Sequence, residues 1–240
     1  MHNPLRRHRQ CAYCGKILPQ AQVTQDHVIG RSWYPDGPPT KAQRWTVPTC
    51  RPCNVGFSGD EQYALMHLVA CIDPSNPFAP SLTARVRRSI TPSEGKNFQD
   101  RRSRQRLRDR FEASISAYDG EPLASMLPFS LKNASTPGAF VGRIEAARLN
   151  RVVAKWARGL HFYAENEPLK AEAAIEVIFQ TDENLKEALL PLLPHGALVV
   201  GGPGIKAMRW SARENGKRCD LYAFEIWDDF RVCASVDCDE

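Results

Sequence analysis

The sequence predicts an α+β protein in three parts: a metal-stapled N-terminal module, an arginine-rich helical segment, and a C-terminal α+β domain built from antiparallel hairpins. Three observations predict it. Two Cys-x-x-Cys pairs, Cys11/Cys14 and Cys50/Cys53, bracket the first part. Ten lysines and arginines against three acids crowd residues 85–110. Beyond Ala197, alternating apolar and polar runs are separated by Gly/Pro and Asn-Gly turns, a strong hairpin signal. The parts divide as residues 1–80, 81–118 and 119–240.

Composition sets the outer limits. A chain of 240 residues, 42% hydrophobic and 25% charged, has ample length for a core, which excludes wholesale disorder and collagen-like structure. No apolar run approaches the roughly 18 residues of a membrane span, and residues 1–10 lack the apolar stretch of a signal peptide. The expected location is the cytoplasm, with no membrane partner. Net charge is +5, but residues 1–110 hold 18 Lys/Arg against 8 Asp/Glu, and residues 111–240 hold 14 against 19. A basic front half points to an anionic partner, nucleic acid first.

Along the chain, residues 34–39 form a Pro/Gly-rich stretch, and residues 60–71 carry an apolar face of helical period in Tyr63, Leu65, Met66, Leu68 and Val69. Residues 73–80 contain three prolines and read as a break. A helix over 100–117 sets arginines around a narrow stripe of Leu107, Phe111, Ile115 and Tyr118. After a Pro/Gly/Ser-rich region at 127–142, the stripe Leu149, Val152, Val153, Trp156, Ala157, Leu160 predicts an amphipathic helix over 143–160. Residues 174–180 read as a strand and 182–190 as a short helix capped by Thr181. The Gly201–Gly204 loop has no following Lys-Ser/Thr and no helix, so it reads as a hairpin turn rather than a phosphate cradle. The acidic residues Asp228, Asp229, Asp237, Asp239 and Glu240 read as a solvated end of the chain.

Without a secretion signal, paired cysteines point to a metal knuckle rather than disulfides. Four thiolates suit tetrahedral zinc in a structural role, with an iron or redox site as the alternative. The 35 residues between Cys14 and Cys50 exceed a simple ribbon and leave room for something functional. They contain Thr24-Gln-Asp26-His27-Val-Ile-Gly-Arg31, and Asn54 follows the last cysteine. In a strand, neighbouring Asp and His side chains diverge, so one can bind a hard cation while the other faces a substrate.

At Cys11-x-x-Cys14, Asp26-His27-Val28-Ile29, Val47-Pro48 and Cys50-x-x-Cys53-Asn54 the chain resembles the four-cysteine branch of the HNH endonuclease family, over about residues 9–70. The resemblance implies a ββα-metal fold: a hairpin with Asp26-His27 near the end of its first strand, then a helix with Asn54. It also implies hydrolysis of phosphodiester bonds, with His27 as general base and Asp26 and Asn54 as ligands of a catalytic Mg²⁺ or Mn²⁺. Oxygen donors suit such an ion, and a neutral imidazole accepts a proton near neutral pH. Two residues depart from the pattern. Trp45 stands where the family has a bracing Asn, and Ser58 where a further ligand is often found; Asp60, Glu61, His67 or water are the possible substitutes.

Arg31, Arg101, Arg102, Arg104 and Arg106 are the expected nucleic-acid contacts, with DNA favoured over RNA as substrate. Two other readings stand beside the endonuclease: a non-catalytic zinc module that binds nucleic acid, and a nuclease effector of a defence or toxin system. In the latter the C-terminal domain senses a signal or holds a partner, and a homodimer is a further possibility.

Overall fold

The computed structural model describes residues 9–35, 45–117, 140–142, 144–178, 197–214 and 217–237. The expected helix at 182–190, the Asn215-Gly216 turn, most of the 127–142 region and the last acidic residues lie outside them. The described chain is mixed α+β with antiparallel sheets.

The first cysteine pair closes a tight knuckle. Gly15 takes φ +69°, a conformation that costs glycine little, and its N–H donates to Cys11 O at 2.9 Å. Strand β1 (Val23–His27) then pairs antiparallel with β2 (Thr46–Cys50), with His27 opposite Thr46 and Val23 opposite Cys50. Cys50 leads directly into α1 (Arg51–Ala70). Pro52 fits its first turn, where an amide hydrogen has no intrahelical partner. The helix therefore starts nine residues before the periodicity predicts, because its first turns are largely solvent-facing and show no apolar stripe.

Two more helices pack on α1. Residues 79–90, read from sequence as part of a break and a basic linker, form α2 (Ala79–Ile90), with Leu82 and Val86 buried. Pro80 starts this helix rather than interrupting the chain. Helix α3 (Phe98–Ala113) is capped by Asn97, whose side chain accepts from the Asp100 N–H at 2.9 Å. It ends earlier than the predicted 117, because Ile115–Ala117 extends as β3 to pair with β4 (Phe140–Gly142).

Helix α4 (Ala146–Glu165) is central. It ends where Asn166 turns left-handed, with its N–H on Phe162 O. The predicted stripe Leu149, Val152, Val153, Trp156, Ala157, Leu160 is wholly buried. One side faces an antiparallel sheet of order β5-β9-β8-β7-β6, made of Ile175–Ile178, Phe230–Asp237, Lys217–Ile226, Ile205–Glu214 and Ala197–Gly202. The β6–β7 connection through Gly202–Gly204 is a hairpin turn, as its sequence predicts.

The opposite side of α4 lies against the cysteine-bearing module. Trp33 meets Trp156 edge-on at 4.9 Å and stacks on Trp227 at 5.6 Å, and Trp227 Nε1 donates to Trp33 O. Buried residues from Cys11 to Val236 form one continuous cluster. The cluster draws residues from all three of the expected parts. Among the described residues no helix is long and apolar enough to cross a membrane.

Candidate functional site

Knuckle, hairpin and helix bring Cys11, Cys14, Cys50 and Cys53 together, with all four sulfurs within 4.8 Å of one another. Cys14 Sγ and Cys50 Sγ are 3.9 Å apart. Four ligands at about 2.3 Å around zinc would stand about 3.8 Å apart, so the cluster has the size of a tetrahedral thiolate site and can hold a metal such as zinc. Burial opposes ionisation of Cys11, yet hydrogen bonds from Thr49 and from backbone amides bring its thiol down to about 7. Burial and neighbouring thiols push Cys14 and Cys53 up. The Cys11 thiolate thus forms readily, and Cys14 and Cys53 need a cation to offset the accumulating charge.

The knuckle reaches the candidate centre through Tyr13, which lies between its two cysteines. Tyr13 Oη donates to Asp26 Oδ2 at 3.0 Å. Burial, then the Asp26 carboxylate, hold the Tyr13 phenol well above its ordinary value, so the hydroxyl remains a donor. The same Oδ2 lies 3.0 Å from Lys155 Nζ of α4. Lys155 also bonds to Glu61 Oε1 at 2.8 Å and to His27 O at 3.0 Å. Burial raises the Glu61 pKa against the pull of Lys155.

His27, at the end of β1, receives Arg31 Nε–H on Nε2 at 2.6 Å. That bond requires a lone pair on Nε2, so this nitrogen is presented as an acceptor. Asn54, in the first turn of α1, donates from Nδ2 to Thr24 Oγ1 at 3.3 Å and to Gln25 O at 3.5 Å. Its side chain is thereby laid along β1 at Thr24 and Gln25.

The residues that depart from the family pattern have defined places. Trp45 is buried, and its carbonyl accepts the Val28 N–H at 3.0 Å, a backbone brace just beyond His27. Ser58 Oγ donates to Val55 O within its own helix. Asp60 pairs with Arg148 and Arg151, and Glu61 with Lys155. His67 lies buried between Tyr63 O and Ser114 Oγ, packed on the Tyr63 and Phe111 rings. Burial lowers its pKa, as suits a neutral core imidazole.

Two clefts share the α1 residues Gln62 and Met66 and so adjoin along one face. One, of about 400 Å³, is lined by Arg31, Ser32, Glu61 and Arg85. The other, of about 240 Å³, lies between α1 and α3 and is lined by Ser103, Arg106, Arg110 and Arg148. The expected arginine clamp is split by helix geometry. Arg101 Nε donates to Gly95 O, and Arg104 bonds to Asp100 and to Arg88 O. Arg102, Arg106 and Arg110, at four-residue spacing, share one exposed ridge of α3.

Comparison of the chain with family models, with curated proteins and with solved structures returns no match.

Sequence reasoning missed Tyr13, Glu61 in its actual role, Arg110 and Lys155. Tyr13 was marked only by lying inside the knuckle. Lys155 carried no local signal at all.

Proposed function

We propose that the protein is an HNH-type endonuclease that hydrolyses phosphodiester bonds in DNA in a metal-dependent reaction. The observation that carries this reading is the placement of Asp26-His27 at the end of β1 and Asn54 in the first turn of α1, with β2 between them and the four cysteines joining the knuckle before β1 to the β2–α1 junction. Asp26 and Asn54 would hold the divalent ion. The two bonds on Asp26 fall on Oδ2, and Asn54 is turned with its amide nitrogen to β1. Asp26 Oδ1 and Asn54 Oδ1 are then the oxygens offered to a cation. Two such donors, with water and phosphate oxygens, suit Mg²⁺ or Mn²⁺. A bound ion of this kind polarises the phosphate and offsets charge on the leaving oxygen.

The chain's own residues supply the rest. His27 Nε2 takes the proton of the attacking water once Arg31 leaves it for a substrate phosphate. Arg31 lines the first cleft, and Arg106 and Arg110 of the α3 ridge line the second, so a strand crossing Gln62 would meet cations on both sides of that residue.

One observation favours a second reading, a zinc module that binds nucleic acid without cutting it. Asp26 and His27 each have an intramolecular cationic partner, in Lys155 and Arg31. The zinc-loaded protein is assayed with Mg²⁺ and Mn²⁺ on plasmid, single-stranded DNA and RNA, beside His27→Ala. Metal-dependent cleavage lost in His27→Ala is expected. Salt-dependent binding without turnover in any metal selects the second reading.

A further inference from the structure

We infer that Lys155 is a positioning residue for the Asp26-His27 pair, which makes helix α4 a working part of the reaction centre. The inference rests on the endonuclease reading above.

The side chain of Lys155 is 0% exposed. An ammonium at that depth is tolerated only when its donors are used. Here three N–H groups meet three acceptors: Asp26 Oδ2, Glu61 Oε1 and the His27 carbonyl. Stability alone does not call for a lysine at such a place, since buried ion pairs are often replaced by apolar residues of similar volume without loss. What lysine supplies is direction. It fixes the rotamer of Asp26 and the backbone of His27 from a single point, and Tyr13 holds the same Asp26 oxygen from the knuckle side. The carboxylate is clamped at Oδ2, which leaves Oδ1 for a cation.

The approach of α4 is built for this contact. Gly159 lies one turn beyond Lys155, and a Cβ there would stand 2.8 Å from Val28 Cγ2. Only glycine lets the helix backbone come against the residue that follows His27. Lys155 is too deep to touch substrate, so it acts through Asp26 and His27. Groups that orient metal-binding side chains are typically worth about 10- to 100-fold in metal affinity or activity.

The test uses the full-length zinc-loaded protein and the pair Lys155→Met/Glu61→Gln, which removes one positive and one negative charge together and so isolates orientation from net charge. Mn²⁺ binding is read by electron paramagnetic resonance without nucleic acid, and kcat and KM by plasmid cleavage. Mn²⁺ affinity and kcat should each fall about 10- to 100-fold, with KM for DNA within about twofold of wild type. A folded double variant that matches wild type in both overturns the inference alone. A wild type that neither binds Mn²⁺ nor cleaves overturns the endonuclease reading, and this inference with it. Should the double variant fail to fold, Lys155→Ala is assayed with n-propylammonium, which replaces the atoms removed. Dose-dependent recovery of cleavage with a rise in Tm supports the inference, and no recovery overturns it.

Discussion

Two carboxylates, one buried and one half-buried, sit on opposite sides of α4, and they are finished differently. Asp220, on β8, is closed on both oxygens. Oδ1 accepts from Ser211 at 2.6 Å and Arg218 at 3.0 Å, and Oδ2 accepts from Arg209, Arg218 and Tyr222, with His161 alongside. Glu165 of α4 caps the two arginines. Asp26 takes both of its bonds on Oδ2 and keeps some exposure, 13% for its side chain against 0% for Asp220. A carboxylate saturated on every side fastens helix to sheet. One saturated on a single oxygen is oriented and still offers the other.

The largest effect that sharpens this contrast is expected at the cysteine cluster. Structural zinc contributes on the order of 10 kcal/mol in small sites, and that binding energy is folding energy. Cys14→Ala should lose zinc, melt earlier and lose activity. Amide exchange should quicken first in the knuckle at 11–15 and in β2, which the cysteines tie together, while β7 and β8 stay protected. Unchanged zinc content and melting would refute a structural role. Next in size, His27→Ala should slow cleavage about 10²- to 10⁴-fold with little change in Tm, the signature of a residue used for chemistry.

Asp220 should show the opposite pattern. Asp220→Asn removes the buried anion between two half-buried arginines that keep Glu165, and should cost about 1–3 kcal/mol, or roughly 2 to 12 °C in Tm, with kcat per folded molecule retained. Burial opposes its ionisation, but His161, Ser211, Arg218 and Arg209 hold the carboxylate far below the usual carboxylate range. A folded pKa below the unfolded one gives stability that is complete above the unfolded value and lost as pH falls below it. The gap in urea midpoint between wild type and Asp220→Asn should be constant from pH 7 to 5 and narrow below about pH 4. A gap independent of pH would show that the carboxylate's charge is not what fastens the sheet.

How much of this was legible follows from the range of each signal. The cysteine cluster is visible in spacing alone, because each pair forms its own knuckle. The hairpins from β6 to β9 announce themselves through alternation and turn residues. Helix α2 was hidden because Pro80 is read as a breaker by type, and only its neighbours make it a first-turn residue. Asp26, His27 and Asn54 stood out through a pattern of residues close in sequence. Their partner Lys155 is 128 positions from His27, on the polar side of a stripe read as one-faced. A hydrophobic stripe identifies a helix's apolar face, but it cannot reveal that the other face is buried too.

The smallest expected effect concerns the basic segment, where sequence chose arginines by proximity and the fold sorts them by face. Arg101 and Arg104 are spent on Gly95, Asp100 and Arg88, whereas Arg102, Arg106 and Arg110 form the exposed ridge, two of them lining the α1–α3 cleft. Neutralising a cation that contacts a phosphate lowers the slope of log K against log salt by about 0.9 for duplex DNA. The variant Arg102→Gln/Arg106→Gln/Arg110→Gln should therefore flatten the slope by up to about 3 while sparing Tm. Arg101→Gln/Arg104→Gln should leave the slope nearly unchanged and lower Tm slightly, because those side chains hold the start of α3 against the end of α2. Fluorescence anisotropy with a labelled duplex across a salt series measures both. Equal slopes in the two variants would mean that nucleic acid does not follow the α3 ridge, and the path across Gln62 would have to be abandoned.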